Sequence, residues 1–135
     1  MIDSGNVSLG DFTITTAGTV VGDWVEDFDI AAMAAQVRLA YGSGGTTIKA
    51  YLQTSLDGGT TPIDVACFTF TTASAVKVRN LSSLVSKTTD VTPTDGALTD
   101  DTSVDGVIGD MFRFKVVSAG TYAGSTVLSC RAVVR

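Results

Sequence analysis

The sequence predicts an all-β protein, an antiparallel β-sandwich of the jelly-roll or immunoglobulin-like kind with seven to eight short strands and little or no helix. Composition is the first observation, because the 135 residues include 20 Thr and 12 Ser but only one Glu and four Lys. Thr favours pleated strands, whereas Glu and Lys are strong helix formers. The other two observations are short runs of alternating apolar and polar residues and the Gly-rich turns between them. Each such strand offers one apolar face, so two sheets are expected to pack over one core.

The length of the chain fits one domain. Residues 1–11 are polar and contain glycine, which predicts an N-terminal arm. Residues 12–135 are predicted to form a single β-sandwich domain. Folding at this length hides roughly two-thirds of the surface of the unfolded chain, so a core can form without a disulfide or a metal. We therefore expect no cofactor.

The N-terminal third contains three strand signals. Residues 12–15 alternate and residues 19–21 follow a glycine break, so both are predicted to be short edge strands. Residues 30–35 include four Ala and carry the only helical propensity, which predicts either a helical turn or the start of a strand. From Gln36 to Tyr41 the alternation is clear and predicts a strand with one apolar face.

The strongest local signal is a β-hairpin made from residues 46–55 and 63–71 around an Asp-Gly turn. The turn resembles the Asp-box, S-x-D-x-G-x-T-W, which recurs in sialidases and other carbohydrate-active β proteins, with Pro62 in place of the Trp. In that motif the Ser and Asp side chains bind the turn backbone, which is a folding role. The predicted structural turn comprises Ser55, Asp57, Gly58, Gly59 and Thr61.

The C-terminal half begins with a predicted strand at residues 76–79. Residues 81–105 form a polar stretch that is too long for an ordinary loop, which predicts a short edge strand or a contact surface within it. Residues 112–116 and 128–134 alternate on either side of a Gly-rich turn. They predict a second hairpin that ends the chain.

Charge and hydropathy exclude several partners. The net charge is −5 and the nine basic residues are dispersed, so no nucleic-acid partner is expected. No apolar run approaches the roughly 18 residues of a membrane span, and the N-terminus lacks the pattern of a secretory signal, so neither a membrane partner nor secretion is expected. Cys67 and Cys130 lie in apolar runs, which favours buried free thiols over a zinc half-site and leaves a disulfide between them open.

The sequence predicts no enzymatic activity. The chain has no histidine, which excludes a His-dependent triad. A carboxylate pair is the remaining route, and Glu26 with Asp29 is the only pairing that includes the longer acid. Trp24 and Phe28 lie beside this pair as candidate sugar platforms, although a lone Trp in a small β domain usually belongs to the core.

A cluster of acids gives the only metal hypothesis. Carboxylate oxygens suit Ca²⁺, but the spacing matches no EF-hand or RTX repeat, and turn capping explains these residues better. No metal site is predicted, and Asp100, Asp101 and Asp105 are the weak candidates. The whole cluster consists of Asp95, Asp100, Asp101, Asp105 and Asp110.

Basic residues on the predicted last hairpin give an interface hypothesis. Arg113, Lys115 and Arg131 alternate with apolar residues and are predicted to form a positive strip on an acidic molecule. The strip is either a solvated sheet face or part of an interface. In the second case the basic strip and the acidic loop region pair head to tail between copies, or bind an acidic or basic lattice.

Several segments resemble the small β-sandwich virion proteins of tailed bacteriophages. The resemblance covers residues 36–135, and its hairpin patterns lie at residues 41–46, 51–61, 109–114 and 120–126. It implies a structural protein without catalytic residues, which is assembled in the host bacterial cytoplasm and localised in the virion.

Among virion roles, the resemblance favours a capsid decoration or cement protein that stabilises the head by bridging major capsid subunits. The major capsid protein or other virion proteins are the implied partners, and a homo-oligomer is expected. A neck or tail component is one alternative. A carbohydrate-binding β-sandwich module is another, and its evidence is the Asp-box-like turn and Trp24; glycan binding is not the favoured reading.

Overall fold

The computed structural model of the protein describes residues 5–26 and 30–135. In these ranges eight strands have four or more residues: β1 (Gly5–Ile14), β2 (Gly18–Val21), β4 (Ala32–Ala40), β6 (Thr47–Ser55), β7 (Ile63–Phe70), β8 (Ala75–Ser82), β9 (Met111–Ala119) and β11 (Thr126–Val134). Three have two residues each: β3 (Val25–Glu26), β5 (Ser43–Gly44) and β10 (Tyr122–Ala123). Within the described ranges there is no helix with the length and apolar character needed to cross a membrane.

The eight longer strands form two antiparallel sheets. Sheet A has the order β1-β11-β4-β8, and sheet B has the order β2-β9-β6-β7, with β3 also paired to β9. When the eight strands are counted from one to eight along the chain, the two orders are 1-8-3-6 and 2-7-4-5. This is the strand order of a jelly roll, whereas an immunoglobulin sandwich places its first two strands side by side. The all-β sandwich expected from the sequence is confirmed.

The core lies between the two sheets and is made by alternate residues of each long strand. Leu39 on β4 and Leu128 on β11 are directly paired in sheet A and are almost fully buried. Phe68 and Phe114 come from sheet B, and their ring centroids lie 6.1 Å apart at an angle of 44°. Burying one such side chain contributes about 1.5–3 kcal/mol, so the sheet-to-sheet contact is the main source of stability.

Only one connection between consecutive long strands is a hairpin, namely the predicted one from β6 to β7. The predicted second hairpin is wrong, because β9 pairs with β2 and β6 in sheet B, while β11 pairs with β1 and β4 in sheet A. The Gly-rich segment at residues 120–125 therefore carries the chain from one sheet to the other. Both strands still bury alternate residues, which is why their sequence pattern looked like a hairpin.

The N-terminal arm predicted at residues 1–11 overlaps strand β1. Residues 5–11 pair with β11, and Val7 and Leu9 are buried, so this part of the prediction is wrong. A bulge between Ser8 and Gly10 shifts the register. The bulge interrupts strict alternation, and this hides the strand in the sequence. Residues 1–4 lie outside the described residues.

The other predictions near the N-terminus agree with the structure in position, although residues 12–14 end a ten-residue strand instead of forming a short one. Strands β1 and β2 are terminal in their sheets, as predicted for residues 12–15 and 19–21. Of the two possibilities for residues 30–35, the strand start is correct, because β4 begins at Ala32.

The long polar stretch covers sheet B. Residues 83–110, here called the covering segment, run along the free edge of β7, and backbone hydrogen bonds of 2.8–3.0 Å join the two at Asp64–Thr94, Cys67–Thr102 and Val65–Val104. A single bridge between Ala66 and Ser103 stands where a short edge strand was predicted. Because of this cover, β7 is buried on both faces over most of its length.

Candidate functional site

The outer side of sheet A has no covering segment. Three cross-strand rows define this surface, here called the A face, and each row takes one residue from β11, β4 and β8. The rows are Val133–Ala34–Asn80, Arg131–Gln36–Val78 and Ser129–Arg38–Val76.

The A face exposes apolar side chains that no described residue covers. Val76 is 54% exposed, Val78 is 63% exposed and Val133 is 37% exposed. Ala34 is small, and shallow depressions flank it, one beside Arg131 and the other beside Asn80. A flat sheet face with exposed valines and small residues can accept another protein surface at low desolvation cost.

The charge of the A face is slightly positive. Arg131 pairs with Asp11 on β1 through an N–O distance of 3.1 Å. Arg38 has no carboxylate partner among the described residues. The two cations and one acid leave a surplus of one positive charge on a molecule whose net charge is −5.

The basic strip expected from the sequence does not exist as one surface. Arg113 and Lys115 lie on the outer side of sheet B, whereas Arg131 lies on the outer side of sheet A. The strip was inferred from a hairpin that the chain does not form. Lys115 also pairs with Asp95 at 3.1 Å, so its charge serves an internal contact.

The three weak metal candidates point to different partners. Asp100 pairs with Lys49 at 2.9 Å, and Asp101 accepts hydrogen bonds from the Thr69 amide and from Lys77. Asp105 instead accepts hydrogen bonds from two backbone amides. Within the described residues, no group of three or more His, Cys, Asp or Glu side chains is placed to hold a metal ion. These acids fasten the covering segment to the sandwich.

A buried carboxylate that the sequence analysis missed holds the covering segment. Asp64 is 2% exposed, and its two oxygens accept hydrogen bonds from the Gln53 amide, the Thr94 hydroxyl and three successive backbone amides. Those amides belong to Gly96, Ala97 and Leu98. The signal in the sequence is an Asp inside the otherwise apolar run Ile-Asp-Val-Ala-Cys-Phe, where an ionised group is buried only if it is well bonded.

Gln53 extends this network across sheet B. Its amide also donates to Asp95 at 2.8 Å, and its carbonyl accepts from Arg113 at 2.8 Å. The hydrogen bond from Gln53 is the largest cause that lowers the pKa of Asp95, and Lys115 acts in the same direction. Every member of the network is bonded within the protein, so the network is structural.

Trp24 is a packing residue on the evidence of its contacts. The guanidinium carbon of Arg113 lies 4.2 Å from the centroid of the Trp24 ring, as in a cation–π contact. The indole also lies against Gly59 in the β6–β7 turn. One ring face is therefore occupied, which removes much of the argument for a sugar platform. Phe28 and Asp29, the latter the proposed partner of Glu26, lie outside the described residues.

The β6–β7 turn has the hydrogen bonds expected of an Asp-box-like motif. The Ser55 hydroxyl accepts from the Gly59 amide at 2.9 Å, and the Asp57 carboxylate accepts from the Thr61 amide at 2.8 Å. Bonds from the Thr61 hydroxyl and amide lower the pKa of Asp57. Gly58 has a φ of 73°, a left-handed conformation that favours glycine.

Both cysteines are free and buried. The disulfide that the sequence left open is not formed, because Cys130 on β11 faces the core, whereas Cys67 on β7 lies in the outer row of sheet B with Tyr51 and Lys115. Burial raises the pKa of both thiols, most strongly at Cys130. Protonated thiols of this kind are poor nucleophiles and poor metal ligands.

Comparison of the chain with models of known protein families gives no match. Comparison with curated proteins gives no match either.

Proposed function

We propose that the protein is a non-enzymatic structural component of a phage virion, most specifically a capsid decoration protein that bridges major capsid subunits through the A face. The observation that carries this proposal is the contrast between the two sheets. Residues 83–110 of the same chain cover β7 and contact β6 and β9 of sheet B, and the exposed valines of this sheet lie on the edge strand β2. The outer face of sheet A, in contrast, leaves Val76 and Val78 exposed next to its central strands. An uncovered apolar sheet face is typical of a surface that another protein covers.

A jelly-roll fold agrees with the role of a capsid decoration protein, but the fold alone does not identify that role. Jelly rolls occur in viral capsid proteins but also in lectins and cupins, so function has to be argued from the surface. The low fraction of charged residues, 17%, suits a protein whose surface is partly covered in a lattice. The patterns at residues 41–46 and 51–61 that resemble phage virion proteins support a virion as that lattice.

The two alternative functions differ from this proposal in the partner or in the surface that binds it. A neck or tail component would bind other virion proteins through the A face. A carbohydrate-binding module would need an open aromatic platform, and Arg113 occupies one face of Trp24. A homo-oligomer stays a prediction.

The test is binding to expanded phage heads that lack decoration protein. We expect the wild-type protein to cosediment with such heads and to raise the temperature at which they rupture. Ala34→Glu places a charge on the middle strand of the A face, next to exposed Val133, and should abolish both effects, since a buried unpaired charge is costly.

Leu84→Glu is the matched control. Leu84 is 83% exposed and lies beyond the end of β8, so this variant should bind heads like the wild type. Heads that neither bind nor gain stability from the wild-type protein would show the proposed function to be wrong. Equal binding of the Ala34→Glu variant would show that the A face is not the contact surface.

A further inference from the structure

Strand β8 presents a regular sheet edge, and the protection that it carries is a pair of inward-pointing charged residues, Lys77 and Arg79. It is terminal in sheet A and pairs with β4 without a register shift from Ala75 to Ser82. The other terminal strands are each protected in a known way. Strand β1 has a bulge, β2 is only four residues long, and the covering segment occupies the edge of β7.

The hydrogen-bond pattern shows which backbone groups of β8 face outwards. The Ser83 amide donates to the Ala31 carbonyl at 2.7 Å, which makes the adjacent pair Ala32–Ser82 a non-hydrogen-bonded pair. Such pairs alternate with hydrogen-bonded ones along an antiparallel ladder. The N–H and C=O groups that point away from β4 therefore belong to Val76, Val78, Asn80 and Ser82.

The groups of Ser82 are already bonded. Its amide donates to Asp105 at 2.7 Å, and its carbonyl accepts from the Gly106 amide at 2.8 Å. In the described part of the chain, the corresponding groups of Val76, Val78 and Asn80 have no partner. Three residues at alternate positions thus offer six backbone hydrogen-bonding groups to an added strand.

The side chains at this edge specify the chemistry of the added strand. Exposed Val76 and Val78 lie on the A face, whereas Lys77 and Arg79 point to the other side of β8. Lys77 pairs with Asp101 at 2.9 Å, and Arg79 bonds to the Asp101 carbonyl and has no carboxylate partner among the described residues. Arg38 is directly paired with Val76 on the A face and adds a third cation.

Charge disfavours a second copy of this chain as the added strand. An antiparallel self-pairing that satisfies all three edge residues places Val78 opposite its own copy and Lys77 opposite Arg79 of that copy. Like charges directly opposite each other destabilise a cross-strand pair. Three cations against two acids at this edge, Asp101 and Asp105, leave a surplus of one positive charge, which favours a strand that carries carboxylates.

We infer that the edge of β8 binds an extended acidic segment of a partner protein as an added antiparallel strand, in which apolar residues alternate with Asp or Glu. The apolar residues lie opposite Val76, Val78 and Asn80 and pack on the A face. The acidic residues between them face Lys77 and Arg79. The addition of a strand at β8 goes beyond the proposed function. It rests on the proposed function only in taking the partner to be a virion protein.

The test uses ¹⁵N-labelled full-length protein and the blocked peptide Ser-Val-Glu-Val-Glu-Val-Ser. Peptide binding should slow hydrogen exchange of the Val76, Val78 and Asn80 amides by about tenfold or more, since these amides become bonded. The Lys77 and Arg79 amides are in the β4 ladder and should be protected with or without peptide. The same peptide with Lys in place of Glu should bind at least about tenfold more weakly.

Two variants separate the backbone contribution from the charge contribution. Val78→Pro removes an edge-facing N–H and no ladder bond, so it should weaken peptide binding by about tenfold. Arg79→Gln keeps every backbone group and should reduce the preference for the acidic peptide, which keeps the inference testable if the proline variant folds poorly.

Several results would overturn the inference. These are equal binding of the acidic and basic peptides, exchange protection that falls on other strands, or a wild-type dimer in sedimentation that Val78→Pro abolishes. If the wild type stabilises phage heads and Val78→Pro does so equally, the edge inference is wrong and the proposed function stands. If the acidic peptide binds as described but heads do not bind, the proposed function is wrong and the edge inference stands.

Discussion

The single buried residue Asp64 holds the long covering segment on sheet B. Its buried carboxylate gathers three consecutive backbone amides of residues 96–98, and it thereby turns a 28-residue connection into an ordered layer on sheet B. The surrounding acids add surface contacts, of which the Lys49–Asp100 and Lys77–Asp101 pairs are half-exposed and individually weak. The buried group therefore contributes most to the attachment.

Replacing Asp64 by Asn should destabilise the protein by about 3 kcal/mol, because an amide group would face amide donors and leave some of them without an acceptor. Urea unfolding of the purified variant measures this loss. Asp90→Asn is the control, since Asp90 is an exposed carboxylate on the same segment. Equal unfolding midpoints for the two variants would contradict the anchoring role of Asp64.

At the scale of elements, the edge strands determine which surfaces can bind. Strand β1 illustrates that an edge can be closed by a bulge, and β7 that it can be closed by the chain itself. Only β8 combines length, regular pairing and exposed valines. Binding is therefore expected at the edge of β8, which neither a bulge nor the covering segment closes.

The role of β1 is tested by a pair of neighbouring substitutions. Val7 is buried against the core and Ser8 faces solvent, so Val7→Asp should destabilise the protein by about 3 kcal/mol or more and Ser8→Asp by less than about 0.5 kcal/mol. Thermal unfolding distinguishes the two variants. If residues 5–11 were a free arm, both variants would melt like the wild type.

At the scale of the whole molecule, the outer faces of sheets A and B differ in how far the chain itself covers them. Residues 83–110 cover β7 and contact β6 and β9 of sheet B, whereas the outer face of sheet A is left open, so the bridging contact is expected on sheet A. The two sheets share a single core, and a partner bound to the A face therefore stabilises the whole sandwich by mass action.

The pH dependence of stability also belongs to this scale. Hydrogen bonds from Arg131 lower the pKa of Asp11, and bonds from Thr61 lower that of Asp57. A lowered pKa in the folded state gives stability that is present above the unfolded pKa, near 4, and is lost as the pH falls through the folded value. The raised pKa values of the buried thiols act in the opposite direction, so their stability is lost above about pH 8.5.

The chain has no histidine, and few groups titrate between these limits. We therefore expect a nearly constant free energy of unfolding from about pH 5 to pH 8, with a decrease on either side. Urea unfolding across the pH range measures this profile. A steep change between pH 6 and pH 7 would contradict it.

The sequence by itself determined the class of fold, the hairpin at β6–β7 and the core-facing residues of β4, β6, β9 and β11. These follow from local rules, namely β propensity, period-2 alternation and the positive φ that an Asp-Gly turn requires. Only the tertiary structure decided which strands are neighbours. A crossing between sheets and a hairpin have the same pattern of strand, turn and strand, so Arg113 and Arg131 were assigned to one surface although they lie on opposite faces. The open A face and the free edge of β8 likewise depend on which strands end a sheet, and that is fixed by pairing between residues far apart in the chain.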